Sequence, residues 1–363
     1  MQRRDFIKAA GVAAITAGAS TQAGQAHAKE KPEYSWKMVT TWPKNFPGLG
    51  TGANHLAELI GQMSGGRIEV KVYGATELVP AFEVFDAVSA GTAEMGHGAA
   101  YYWKGKSEAA QFFTTVPFGL TAQEMNGWLY HGGGMELWRE LYAKFNLVPA
   151  PAGNTGVQMA GWFNKEINSL EDLKGIKMRI PGLGGEVLKR AGGTPVNLPG
   201  GEIFTSLQSG AIDATEWIGP YNDLAFGLYK AAKYYYYPGW QEPGTTLEAM
   251  IHKPSFDKLP DDLKVIVMTA CKAINLDMLS EYMARNPAAL DTLVEEHGVD
   301  VRPLPADVVA RLRGLSGEVV AEIAEQDEFS KRVYASYQKF LKQSQAWSKI
   351  SEYGYLTARD HAG

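Results

Sequence analysis

Four short stretches of the chain mix polar side chains with glycine and aromatics, the combination from which small-molecule sites are built. They are Gly153–Phe163 (GNTGVQMAGWF), Lys177–Gly182 (KMRIPG), Asp213–Tyr221 (DATEWIGPY) and Tyr234–Gly244 (YYYYPGWQEPG). Arg179 lies between Met178 and Ile180 in a strand-like run that ends at Pro181. An arginine with apolar neighbours on both sides is at least partly buried and then needs an anion. A carboxylate of the chain or of a ligand would serve, and the residues alone leave both open. Glu216, beside Trp217, has the same two readings. Gln158, between Val157 and Met159, either pins a backbone or offers an amide oxygen. The four tyrosines Tyr234–Tyr237 read as a solvent-washed strand.

Catalytic constellations are not visible. His131-Gly132-Gly133-Gly134 imitates the oxyanion-hole glycines of esterases, but no G-x-S-x-G elbow supplies a nucleophile, so a tight turn after a helix is expected. Gly48-Leu49-Gly50-Thr51-Gly52 has neither the spacing of a dinucleotide loop nor a G-K-[ST]. The seven histidines show no i, i+4 pair, and the single cysteine, Cys271, excludes an intramolecular disulfide and a thiolate zinc cluster. An exported hydrolase is the rival reading from another class, and turnover of a bound ester or amide would reveal it.

The elements that position these residues read as α/β. Trp36–Thr40 is a β-type run; Leu56, Leu59, Ile60 and Met63 make a helical stripe stopped by Gly65-Gly66; Ile68, Val70 and Val72 alternate with charged residues as a half-exposed strand. A faint repeat relates residues 87–97 to residues 206–216: a helix end, a glycine stop (Gly91, Gly210), a short strand, and an acid three residues after the glycine (Glu94, Asp213). Such units would deliver two strand ends to one crevice, lined by Tyr101, Tyr102 and Trp103 on one side and by Glu216 and Trp217 on the other. From about Asp257 the pattern is helical, and the chain ends with Trp347, Ile350, Tyr353 and Tyr355, which the same chain or a second subunit must cover.

At 363 residues and 45% apolar content the chain has room for two lobes, and a net charge of −5 gives no footprint for nucleic acid. Residues 1–28 are set apart. Arg3-Arg4-Asp5-Phe6-Ile7-Lys8, a short apolar stretch and Ala26-His27-Ala28 resemble a twin-arginine export signal, which implies a periplasmic protein and leaves the mature chain more acidic still.

In this order and spacing, G-N-T-G-V-Q-M-x-G-W-F, I-D-A-T-E-W-x-G-P-Y and Y-Y-Y-Y-P-G-W-x-E resemble the extracytoplasmic solute receptors of TRAP transporters (bacterial solute-binding protein family 7), nearest the branch that binds 2-oxo acids. The likeness runs from about residue 34 to 355. It implies a two-lobed α/β periplasmic binding protein fold with hinge strands, a long lobe-spanning helix and a C-terminal helix available for dimer swapping. Lobe I would take residues 29–156 and 245–284, lobe II residues 157–244 and 285–337, and residues 338–363 the dimerisation helix and tail. It implies no enzyme but a receptor delivering a pyruvate-like 2-oxo monocarboxylate to membrane subunits. Lactate or a dicarboxylate are the alternatives, the latter with Lys104 or Lys106 as a second cationic group. The substrate would meet Tyr101, Tyr102, Asn154, Gln158, Arg179, Trp217 and Glu242. A metal cation, sodium by resemblance or else calcium, would take oxygens of Gln158, Glu216, the Trp217 backbone and Glu242. Arg179 against Glu216, Glu242 and a ligand carboxylate leaves a negative excess, which a divalent ion cancels and sodium halves. One departure from the family pattern is Gln241-Glu242-Pro243, where Pro243 would shift the loop that aims Glu242.

Overall fold

The computed structural model describes residues 31–360, so the export signal expected over residues 1–28 lies outside the described residues. Eleven strands follow one another among these residues: β1 (Tyr34–Thr40), β2 (Ile68–Tyr73), β3 (Met95–Gly98), β4 (Leu147–Asn154), β5 (Gly161–Phe163), β6 (Lys177–Arg179), β7 (Thr194–Val196), β8 (Ala214–Thr215), β9 (Tyr234–Tyr237), β10 (Thr246–His252) and β11 (Asp300–Pro303). They form a five-stranded sheet ordered β2-β1-β3-β10-β4 and a six-stranded sheet ordered β11-β9-β5-β8-β6-β7.

The two sheets share a plan. In the first, β1, the helix Leu49–Met63, β2, the helix Val84–Ser89 and β3 form a β-α-β-α-β unit; in the second, β6, the helix Gly182–Arg190, β7, the helix Gly200–Gln208 and β8 do the same. Each unit places its strands in parallel with the first in the middle. Each is then extended by antiparallel strands, β10 and β4 in one case, β5 and β9 in the other. The repeat read from the sequence is the last turn of both units. Gly91 and Gly210 each stop a helix at φ +75°, a left-handed conformation glycine adopts without steric cost. The acids that follow play one role: Glu94 Oε2 accepts from the Lys37 backbone N–H at 2.8 Å, and Asp213 Oδ2 from that of Lys177 at 2.8 Å.

Two segments run side by side between the sheets, leaving β4 for β5 and β9 for β10. They are stitched by backbone bonds from Thr155 N–H to the Thr245 carbonyl (3.1 Å), Gln158 N–H to the Glu242 carbonyl (3.1 Å) and Ala160 N–H to the Tyr236 carbonyl (2.9 Å). Gly239 permits this approach, since a Cβ there would stand 2.0 Å from the Gln158 carbonyl oxygen. The helix Asp261–Asp291, 31 residues long, packs on β4 and on the helices Leu49–Met63 and Pro220–Phe226. Its buried stripe is Leu263, Val267, Ala270, Ile274, Met278 and Tyr282. No helix among the described residues is long and apolar enough to cross a membrane.

One expectation needs correction. β9 is not a surface strand: it lies between β5 and β11, and Tyr234, Tyr235 and Tyr236 are buried, Tyr235 stacked on Trp162 at 4.0 Å. A run of one residue type carries no alternation, so its sequence could not show which face is dry. At the other end, the helix Glu328–Ile350, capped by Asp327, buries Val333 and Tyr337 but leaves the end of the chain uncovered. Trp347, Ile350, Tyr353 and Tyr355 are each two-thirds exposed or more.

Candidate functional site

Arg179 closes β6 between β7 and β8 and is 1% exposed. Its Nη1 makes an ion pair with the Glu216 carboxylate, Nε donates to the Leu198 carbonyl at 3.1 Å, and Nη2 donates to the Tyr102 hydroxyl at 3.3 Å. The anion that the sequence demands for Arg179 is therefore supplied first by the chain itself. The Trp217 ring lies 5.1 Å from the guanidinium carbon, a cation–π distance, and is wedged edge-on against Trp42 and Phe46. Glu216 follows β8, and its backbone N–H donates to the Arg179 carbonyl at 3.1 Å, so the two residues are fixed to each other through main chain and side chain alike.

The stitched segments bring a second carboxylate. Gln158 Nε2 lies within hydrogen-bond reach of Glu242 Oε2 (2.9 Å), Thr155 Oγ1 (3.0 Å) and Thr245 Oγ1 (3.2 Å), and Thr245 Oγ1 donates to Glu242 Oε2 at 2.6 Å. Tyr101, on the short turn after β3, stands close enough to Glu242 to favour its charged form. Burial pushes the Glu242 carboxyl up to about 7, opposed by the Thr245 hydroxyl, Arg179, Gln158 and Tyr101. Burial also raises Glu216 well above its usual value; Arg179 opposes the rise, and Glu242 and Asp223 add to it. Burial works against the Arg179 charge too, yet Glu216, Tyr102, Tyr101 and Glu242 together outweigh it and keep the guanidinium protonated.

With both carboxyls ionised, two buried negative charges would share one guanidinium and the charge would not balance, which is the state their raised pKa values resist. The orphaned atoms match this deficit: Glu216 Oε2 and Gln158 Oε1 are buried without a hydrogen-bond partner, and both are oxygens. Buried acceptors left unpaired cost free energy unless something positive meets them. A carboxylate and an amide oxygen suit a hard cation such as sodium or calcium. Among the described residues no three His, Cys, Asp or Glu side chains converge as a metal cluster. The Trp217 indole N–H is likewise buried without a partner, a donor that an anion can accept.

Most of the residues singled out in the sequence meet here: Tyr101, Tyr102, Gln158, Arg179, Glu216, Trp217 and Glu242. Asn154 does not join them by any hydrogen bond; its Oδ1 accepts from Gly156 N–H at 2.9 Å and its Nδ2 donates to Thr246 Oγ1 at 3.3 Å, which shapes the loop that carries Gln158. Lys106 is paired with Asp86 at 2.6 Å, and Lys104 with Glu186 at 2.8 Å. The sequence reading missed Thr155 and Thr245. Thr155 lies three residues before Gln158 and Thr245 three after Glu242, a spacing that gains meaning only once the crossing segments meet.

The model of the bacterial extracellular solute-binding proteins, family 7, matches residues 38–327. The monocarboxylate 2-oxoacid-binding periplasmic protein of Nostoc sp. strain PCC 7120 is 44% identical over 364 residues, 98% of either chain. A TRAP periplasmic solute-binding protein of Pseudoalteromonas atlantica, solved with bound sodium and pyruvate, is 44% identical, covers 90% of this chain and 99% of its own, and superposes with a TM-score of 0.87. That of Bordetella bronchiseptica, a mixed-occupancy dimer with copurified calcium and picolinate, is 38% identical, covers 92% and 98%, and has a TM-score of 0.89. With the match extending over most of its length, the chain belongs to the bacterial extracellular solute-binding proteins of family 7.

Proposed function

We propose that this protein is the periplasmic receptor of a TRAP-type transporter, binding a pyruvate-like 2-oxo monocarboxylate together with sodium or calcium and releasing it unchanged to membrane subunits. One observation carries the reading: two buried carboxylates face a single guanidinium, with Glu216 Oε2 and Gln158 Oε1 left unpaired beside them. Pyruvate and picolinate, found in the related structures, share a carboxylate next to a second donor atom, the arrangement that chelates a hard cation in a five-membered ring.

Arg179 takes the ligand carboxylate. A guanidinium is rigid, always charged, and preset here by Leu198, Tyr102 and Glu216, so little order is lost on binding. The Trp217 indole N–H adds a donor, and Tyr101 and Tyr102 wall off water, which strengthens every ionic contact inside. Glu216, Gln158, Glu242 and the Trp217 carbonyl hold the cation, whose contribution when bound is the positive charge that the two carboxylates and the ligand lack. Because Arg179 and Glu216 stand on the second sheet and Tyr101 and Tyr102 follow β3 of the first, a ligand gripped by both favours closure of lobe I (residues 29–156 and 245–284) on lobe II (residues 157–244 and 285–337). For a ligand of about six heavy atoms the ceiling of about −1.5 kcal/mol per atom gives roughly −9 kcal/mol. So small a molecule needs every one of these contacts.

Export follows the twin-arginine signal of residues 1–28. The exposed Trp347, Ile350, Tyr353 and Tyr355 are a face that a second copy covers, making residues 338–363 the dimer contact.

Metal analysis and mass spectrometry of the natively purified protein, followed by calorimetry with pyruvate, test the reading. The expected result is a small 2-oxo acid and a stoichiometric hard cation, with pyruvate affinity lost on chelation and sodium withdrawal while the fold persists. Unchanged affinity in cation-free buffer would remove the metal from the site.

A further inference from the structure

Behind Tyr101 lies a cavity of about 400 Å³, lined by Tyr101, Lys104, Ile180, Gly182, Glu186 and Lys189 among others. Neither Arg179, Glu216, Glu242 nor Gln158 lines it, and Tyr101 is the residue it shares with the ion cluster. The Tyr101 side chain stands close enough to Glu242 to help hold that carboxyl down, while its Cβ end lies against the backbone of Gly182, where an added Cβ would come within 3.1 Å of Tyr101 Cβ. The ring is also held from the side: Tyr102 packs edge-on at 4.7 Å, and the Tyr101 backbone N–H donates to Thr114 Oγ1 at 3.0 Å. The cavity beyond has its own charge. Lys104 Nζ reaches Glu186 at 2.8 Å, and Lys189 adds a second cation, so among the lining residues two ammonium groups stand with one carboxylate, while Glu108 behind them also feels the Lys104 charge.

We infer that Tyr101 is the partition that restricts this receptor to short 2-oxo acids, and that the space behind it fits a longer 2-oxo acid with an anionic tail. The inference rests on the 2-oxo acid reading above and adds the residue that limits ligand length. A ligand held at Arg179 meets the Tyr101 ring before it reaches the cavity. Truncating the ring joins the two spaces and brings Lys104 and Lys189 within the ligand's compass. The chemistry that then fits is one carboxylate and keto group at the cluster and a second carboxylate at the lysines, as in 2-oxoglutarate.

The test is calorimetry of pyruvate and 2-oxoglutarate in calcium buffer with the wild type, Tyr101→Phe and Tyr101→Ala, thermal melts confirming that each is folded. The wild type should prefer pyruvate by at least 100-fold. Tyr101→Phe, which keeps the ring, should keep that preference. Tyr101→Ala should lower it at least tenfold through tighter 2-oxoglutarate binding, and Lys104→Met added to Tyr101→Ala should take the gain away. Should Tyr101→Ala not fold, Tyr101→Leu shortens the wall with less loss of packing and gives the same readout. An unchanged preference in the truncated protein overturns the partition, as does a wild type that binds both acids equally well; either result leaves the 2-oxo acid reading standing. A wild type that binds neither acid overturns that reading and the inference with it.

Discussion

His97 and Glu216 occupy the same place in the two repeated units, six residues after Gly91 and Gly210, and both are fully buried. Their surroundings differ. His97 Nδ1 accepts from the Trp42 indole at 2.7 Å and its Nε2 lies 2.9 Å from the Ala152 carbonyl, so the neutral ring has one acceptor and one donor and both are satisfied. Glu216 has one oxygen on Arg179 and one on nothing. One architecture thus ends in a closed hydrogen-bond account in the first sheet and in an open one in the second. A buried polar residue marks a binding site when its valences are left incomplete, and the position in the fold does not decide it.

Breaking the open end should have the largest effect. Arg179→Ala leaves Glu216 buried without its partner, which costs about 3–5 kcal/mol of stability, and removes the group that takes the ligand carboxylate, worth about 2–5 kcal/mol of affinity. Denaturant unfolding and pyruvate calorimetry read the two losses separately. Near-normal pyruvate affinity in this variant would take Arg179 out of the site.

The closed end shows itself through pH. Burial lowers His97 to about 4, against its usual 6.5, so the unfolded chain takes up a proton that the folded one refuses, and stability falls as pH drops from about 6.5 to 4. Glu248, directly across from Gly98 in β10, runs the other way: burial lifts it to about 7 from its usual 4.5, despite the Trp103 and Tyr142 donors, so stability falls as pH rises from about 4.5 to 7. The two trends offset each other in the wild type, where Glu242, lifted to about 7, and Asp223, lifted to about 6, act in the same direction as Glu248. Glu248→Gln removes one of the opposing groups and should make stability fall more steeply on acidification than in the wild type. Urea midpoints of both proteins between pH 4 and 7 check this, and identical profiles would mean that the fold does not hold Glu248 protonated. His97→Phe should cost about 2 kcal/mol through the unpaired Trp42 N–H and Ala152 carbonyl, while pyruvate affinity stays as it was. A parallel loss of affinity would erase the contrast between the two strand ends.

Much of this was legible in the sequence because it is local. The alternation in Ile68–Val72, the helix over Leu56–Met63 and the glycine-to-acid spacing of 91–94 and 210–213 all state short-range geometry, and the structure has them, although the buried face of that helix runs through Ala53, Leu56, Ala57 and Ile60 and leaves Met63 exposed. Arg179 announced its burial through Met178 and Ile180. What stayed hidden depends on the meeting of distant segments. Neither Thr155 nor Thr245 looks functional until the crossing segments set both beside Gln158. The pairing of Lys104 with Glu186 joins the first unit to the second and leaves no pattern along the chain. Nothing in four consecutive tyrosines could show that β9 is flanked by strands on both sides.

The smallest effect separates the two units most finely. Glu94 and Asp213 each accept one strand N–H, but the Lys37 bond is half-buried and the Lys177 bond is exposed. Water can replace the lost acceptor at Lys177 and only partly at Lys37. Glu94→Ala should therefore cost about 1 kcal/mol and Asp213→Ala a fraction of that. Affinity should rank them in reverse. Asp213 also ties its strand through its backbone N–H to the Lys177 carbonyl at 2.7 Å, three residues before Glu216, so loosening this corner displaces the carboxylate that Arg179 holds. A few-fold weaker pyruvate binding in Asp213→Ala, with none in Glu94→Ala, is the expected outcome of paired calorimetry and melts. If both variants bind as the wild type does, the acid of the second unit closes its strand without aiming Glu216, and the alignment of the site must come from Arg179 and the crossing segments alone.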